Sequence, residues 1–264
     1  MSKLTHEQSK AARTKVYDET TKTVPKVLKL RPDAPADGFP CLRDKYIPVS
    51  SLPEVQLQGQ TNLSAKVQVI DDDAYEVAIQ LTKGRLSMET RNQFEEDHCY
   101  RSTLSATLKE TFYPLRLREA IYSPTVVIFL IRGKENYEFP MMDFNRPQDF
   151  PVVSVVSVAA LYRPAINYNV EPPTWEDFEE GEITKEKMRY ILRIWVHNGH
   201  RSVVLGALGC GAFRNPSADT AICCREVLQE SEFQGRFNHI VFVVTNDRND
   251  NFNMFRKVLQ GLQV

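Results

Sequence analysis

Apolar residues along this chain fall into two patterns. The segments "PTVVIFLIRG" and "FPVVSVVSVAAL" are unbroken apolar runs without strict alternation, the mark of strands covered on both faces. "AKVQVI", "RSVVLGAL" and "NHIVFVVTN" read as further strands. Between them lie stretches with helical spacing. In "DDDAYEVAIQLTK", Ala74, Val77, Ala78 and Leu81 share one face, and Asp71 or Asp72 is placed to cap the helix. "TRNQFEEDHCYRSTLSATLKETFYP" predicts a second helix, with acids in its first turn and Cys99, Leu104 and Leu108 on its apolar side, ending before Pro114. "TKEKMRYILRIWVHNGH" predicts a third, closed by Gly199. "SADTAICCREVLQE" and "NFNMFRKVLQGL" complete the set. Strand and helix alternate through the second half, which implies an α/β sandwich with a mostly parallel sheet. An irregular acidic loop containing Trp175 is expected between Tyr162 and Ile183.

The N-terminal part differs. "THEQSKAARTKVYDETTKTVPKVLKL" is polar, with apolar residues at Val16, Val24, Val27 and Leu28. It predicts a surface helix stopped near Pro25. A proline-rich stretch follows up to Asn62, so we divide the chain into an N-terminal helix with a wrapping segment, 1–64, and a main domain, 65–264.

Charge and cysteine usage narrow the setting. Lys and Arg number 33 against 34 Asp and Glu, a formal net charge of −1, so no overall basic field recruits nucleic acid or anionic lipid. No apolar run approaches the roughly 20 residues of a membrane span. The N-terminus lacks a signal-peptide core, so we expect an intracellular protein, cytoplasmic or nuclear. The five cysteines lack metal-like spacing and read as reduced thiols.

One stretch calls for more than packing. In "VVLGALGCGAFRNPSAD" a buried strand breaks into Gly206, Gly209 and Gly211 immediately before a helix. In a parallel sheet, ligands sit beyond the carboxyl ends of the strands. Glycines there let amide N–H groups approach an anion, and the next helix start, near Asn215 to Ser217, adds its own free N–H groups. Phe213 offers an apolar plate for a sugar or base. A tight corner with no ligand fits the same residues. The spacing is neither GxGxxG nor a Walker loop, since no Lys follows the last glycine.

Taken with "CYRSTLSATLKETFYPLRLREAIYSPTVVIF", "VVSVAALYRP" and "EFQGRFNHIVFVV", the block "MRYILRIWVHNGHRSVVLGALGCGAFRNP" resembles the microbial-type poly(ADP-ribose) glycohydrolase family, a branch of the macrodomain fold. "ARTKVYDETTKTVPKVL" and "VQVIDDDAYEVAIQL" are similar to its upstream helix and first strand-helix unit. The resemblance implies a three-layer α/β/α macrodomain-like sandwich with a mixed, mostly parallel sheet and an N-terminal helical extension. It implies ADP-ribose or ADP-ribosylated protein as the partner, and it calls for no cofactor or metal. Gly209, Cys210, Gly211, Ala212 and Phe213 would lie over the diphosphate and distal ribose, flanked by Gly206 and Asn215. Asp71, Asp72 and Asp73 could accept from the adenine amino group, with Asp71 and Asp72 the foremost candidates, and could equally form a capping cluster.

The resemblance breaks at the catalytic segment. Active members carry a strand, a Gly-Gly-Gly loop and a Gln-Glu-Glu triplet before an Arg-Ser pair. Here Glu95 and Glu96 stand before Arg101 and Ser102, Phe94 takes the Gln position, and no triple glycine exists. At about 3.3 Å per residue, the stretch from Gly84 to Arg91 allows at most one short strand. Glu96 would be the general acid that protonates the glycosidic oxygen, with Glu95 beside it. Acids in a first helical turn also stabilise a helix with no catalytic role. His98 is expected at the surface, and His197 and His200 are expected to favour a helix C-terminus rather than to bind metal.

Overall fold

A computed structural model describes residues 6–41, 47–53, 65–81, 87–90, 98–131, 140–246 and 250–264. The helices are α1 (His6–Leu30), α2 (Ala74–Leu81), α3 (Leu104–Thr107), α4 (Phe178–His197), α5 (Ser217–Leu228) and α6 (Asn251–Leu259). The strands are β1 (Phe39–Cys41), β2 (Val67–Ile70), β3 (Ser87–Thr90), β4 (Ala120–Val127), β5 (Val152–Ser157), β6 (Ile166–Asn167), β7 (Thr174–Trp175), β8 (Ser202–Gly206) and β9 (His239–Val243). Seven of them form one sheet in the order β1-β4-β5-β3-β8-β9-β2. From β2 to β5 every pairing is parallel, while β4 pairs antiparallel with both β5 and β1. The expected mixed, mostly parallel sheet is what the chain forms.

The unbroken apolar runs follow from burial on both faces. Val203, Leu205, Ile240, Phe242 and Val156 pack with Trp195, Ile191 and Leu228 of α4 and α5. Their alternates, Val204, Val241, Val243, Val153 and Val155, pack with Tyr75, Val77 and Leu104 on the opposite side. Each strand therefore feeds two cores, and a polar residue in it needs a partner inside, as Ser154 of β5 has in Pro124 O. The result is the three-layer arrangement.

Four boundaries depart from the sequence reading. Helix α1 runs through Pro25. Val24 and Val27 on either side are buried against Val127, Phe129 and Phe150, and this anchoring outweighs the hydrogen bond that proline removes. Strand β4 begins before Pro124 rather than at it, and the register shifts between Ser123 and Val126. That irregularity accommodates a residue with no N–H to donate. The second helix is not continuous. A helical turn at 98–101 is followed by α3, with Thr103 hydrogen-bonded to Val127 between them. The acidic loop contains a small hairpin, β6 paired with β7, and α4 starts at Phe178, capped by Asp177 accepting from the Glu179 amide. The N-terminal segment is also tied to the sheet, because β1 pairs with β4 at its edge.

His200 lies just beyond α4 and is half-buried, with its ring against Trp195 and its Nε2 2.8 Å from the Tyr122 hydroxyl. Burial pushes its pKa down to about 4, so it is neutral near pH 7 and does not serve the helix dipole as expected. A depressed histidine pKa gives stability that is complete above the unfolded value near 6.5 and is lost as pH falls toward 4. Wild-type stability should therefore drop by about 2–3 kcal/mol more than that of His200→Gln across this window. Urea melts at pH 7 and pH 4.5 check this, and equal losses in the two proteins would refute it.

Candidate functional site

Parallel strands deliver their following connections to one edge of the sheet, and here that edge collects most of the sequence-predicted candidates. In order across it stand the end of β2 with Asp71 and Asp72, the end of β9, the glycine loop after β8, the end of β3, and the end of β5. At about 4.8 Å between neighbours, this edge spans about 19 Å.

The glycine loop is held rigidly by its own backbone. The Cys210 amide donates to Ala207 O, the Arg214 amide to Gly211 O, and the Asn215 amide to Gly209 O. Gly209 sits at φ +72°, and a Cβ there would come 2.3 Å from Asn215 Nδ2 and 2.9 Å from the Ala160 methyl, so no other residue fits without displacing the asparagine. Asn215 is 6% exposed, and its Nδ2 donates to Leu161 O and Gly209 O. It therefore ties the loop to the end of β5. The Cys210 thiol is buried in the core, and its amide is spent on the turn. The amides of Gly211 and Phe213 accept no such assignment: neither donates to another described residue. Phe213 packs edge-on against Tyr162 at 5.1 Å, and its carbonyl accepts from the Arg163 amide. Gly206 closes β8, and Ala212 is exposed beside Gly211.

Of the three aspartates after β2, the third caps α2. Asp73 Oδ1 accepts from the Glu76 amide at 3.0 Å, whereas Asp72 accepts from Asp73. Asp71 Oδ1 accepts from the Asn246 amide at 3.0 Å, linking the ends of β2 and β9. Within the expected capping cluster the cap is thus Asp73 and not Asp71 or Asp72, because Asp73 is the residue directly before Ala74.

Asp73 has a second partner that sequence reasoning missed. Burial alone would raise its pKa, but the Arg101 guanidinium, 2.5 Å away, together with hydrogen bonds, holds the carboxyl below its usual range. Arg101 is 1% exposed and also donates to Leu130 O. Beside it, Tyr75 Oη donates to Ser102 Oγ at 2.8 Å, and Ser102 Oγ donates to His98 O at 2.7 Å. His98 is 2% exposed with its ring against Tyr75, so it is a core residue and not a surface one. The one hint in the sequence was an Arg following a helical apolar face across from three consecutive acids. This network anchors the turn at 98–101 immediately after 91–97, the stretch that carries Glu95 and Glu96. Those two glutamates lie outside the described residues. What precedes them is described: β3 is a single short strand, as the length of the segment allowed, parallel to β8 with Met88 opposite Val204. No group of three or more His, Cys, Asp or Glu that could hold a metal ion occurs among the described residues. Nor is any described helix long and apolar enough to cross a membrane.

No family model matches this chain, and no curated protein matches it. Solved structures do. Poly(ADP-ribose) glycohydrolase from Thermomonospora curvata superposes with a TM-score of 0.73 over 94% of this chain and 99% of its own, at 21% identity. The same enzyme bound to the inhibitor ADP-HPD gives a TM-score of 0.69 at 22% identity over the same shares of the two chains. Poly(ADP-ribose) glycohydrolase from Deinococcus radiodurans in complex with ADP-ribose gives 0.64 at 24% identity over 89% of this chain and 97% of its own. The chain has the fold of the microbial poly(ADP-ribose) glycohydrolases. The glycohydrolase fold is shared over nearly the whole of both chains.

Two substitutions test the site's framework. Gly209→Ala should destabilise the protein by about 1–3 kcal/mol through positive φ and the Asn215 clash, as read by urea denaturation. Arg101→Met should cost about 3–5 kcal/mol by leaving Asp73 buried without its cation, and adding Asp73→Asn should restore part of that loss. Additive losses in the double variant would show the two residues to be uncoupled.

Proposed function

We propose that this chain binds ADP-ribose along the loop edge of the sheet and hydrolyses the glycosidic bond that joins it to a protein or related conjugate. The observation that carries the reading is the glycine loop itself. It is a rigid turn after a central parallel strand, with the Gly211 and Phe213 amides donating to no other described residue and the Phe213 ring beside them. Two such amides are donors for a pyrophosphate, and the aromatic ring is a wall for the distal ribose. Asp71 keeps Oδ2 to accept from an adenine amino group two strands away, about 10 Å from the loop. The Deinococcus enzyme of the same fold was solved with ADP-ribose bound.

In this reading Glu96 is the general acid. It protonates the departing glycosidic oxygen as the anomeric carbon takes on oxocarbenium character, and water adds to that carbon. Glu95 is the neighbouring carboxylate. Support for their place at the edge comes from β3: it lies parallel beside β8, so the chain that leaves it for Glu95 and Glu96 departs next to the glycine loop. A second reading is favoured by another observation. Only residues 91–97 connect β3 to the turn at 98–101, and they contain no glycine. A protein that holds ADP-ribose without a loop to press the ribose onto Glu96 would be a reader.

Titration calorimetry and release assays separate the two. ADP-ribose should bind with saturation below about 1 mM. The wild-type protein should release ADP-ribose from ADP-ribosylated protein, and Glu96→Gln should lower that rate by about 100-fold or more. Binding without release would establish the reader instead, and absence of binding would remove both.

A further inference from the structure

The glycine loop has a second side. Together with the β6–β7 hairpin and the start of α6, Cys210, Gly211, Arg214 and Asn215 of the loop wall a cavity of about 520 Å³, within the 300–1,000 Å³ typical of small-molecule sites. No residue of β2, α2 or the turn at 98–101 lines it, so it lies away from Asp71, although Cys210 and Gly211 belong both to its wall and to the loop assigned to ADP-ribose.

Its walls are chemically zoned. At one place Arg214, exposed and held at φ +58°, stands next to the start of α5, where Pro216 provides no side-chain cap for the first-turn amides. Two asparagines, Asn215 and Asn251, are 6% and 7% exposed. Each anchors its Nδ2 to backbone, Asn215 to Leu161 O and Gly209 O and Asn251 to Cys210 O at 3.4 Å. The carboxamide oxygens, assigned by those same bonds, accept no hydrogen bond from any described residue, and both side chains lie on the cavity wall. An acceptor without a protein donor can take one from a ligand hydroxyl. The hairpin contributes the ring of Tyr168, 73% exposed, and Glu171; Asp250 faces in from the start of α6.

These features select a ligand class. One guanidinium and one helix N-terminus suit a single phosphate, while the two carboxylates oppose a polyanion. Asparagine oxygens and carboxylates accept from sugar hydroxyls, as acidic residues do in dinucleotide sites. An exposed tyrosine ring presents a face for a base. We propose that this cavity binds a ribonucleoside monophosphate, with the phosphate at Arg214 and the start of α5, the ribose hydroxyls at Asn215 and Asn251, and the base against Tyr168.

The test uses AMP as the probe, titrated calorimetrically into the full chain with and without saturating ADP-ribose. AMP should bind in both titrations. Arg214→Gln and Tyr168→Ala, both at exposed positions, should each weaken it by about tenfold with unchanged thermal melting. Three results would overturn the proposal: no AMP heat up to about 10 mM, complete displacement of AMP by ADP-ribose, or full retention of AMP affinity in both variants. The titration without ADP-ribose decides the matter even if ADP-ribose itself fails to bind, so the two readings stand or fall separately.

Discussion

Five strands, β2, β9, β8, β3 and β5, lie side by side and point the same way. A parallel pair cannot be joined by a tight turn, so each strand must be followed by a crossover that returns along a face of the sheet. Helices α2, α4, α5 and α6 supply or flank those returns and bury both faces. Everything else in the molecule depends on this arrangement. It forces valine-rich strands, two cores, and a row of strand-to-helix connections along a single edge.

That edge is where the backbone departs from regularity, and the irregularities are stabilised from below. Gly209 and Arg214 take positive φ within six residues, which is tolerable because Asn215 and the turn bonds over-determine the loop. On the other side, the Arg101–Asp73 pair joins the start of α2 to the turn at 98–101. A buried ion pair of this kind contributes little net stability over an apolar isostere. Its geometric effect is larger: with Tyr75 and Ser102 it fixes the turn at 98–101 in the core.

The glycine loop thus carries two kinds of chemistry in one short sequence. The Gly211 and Phe213 amides donate to no other described residue, while Cys210, Gly211, Arg214 and Asn215 line the wall shared with the hairpin and α6. A loop that is a wall for two spaces cannot be varied freely. Changing Asn215 would loosen the turn at Gly209 and alter the cavity together.

Sequence alone determined the elements whose signals are local. Apolar runs marked β4 and β5, as strands covered on both faces require, and shorter apolar stretches marked β2, β8 and β9. Periodic faces marked α2, α4, α5 and α6, and three glycines before a helix marked the loop. Tertiary structure decided the rest, because those outcomes depend on partners far along the chain. The polar stretch Ser87–Thr90 becomes a central strand through pairing with β5 and β8, whose backbone groups would otherwise lack partners. Helix α1 continues past Pro25 because Val24 and Val27 find Val127 and Phe129 a hundred residues on. Asp73, rather than its two neighbours, is drawn into the core because Arg101 meets it there. His98 and His200 are buried by aromatic rings that no local spacing brings near them.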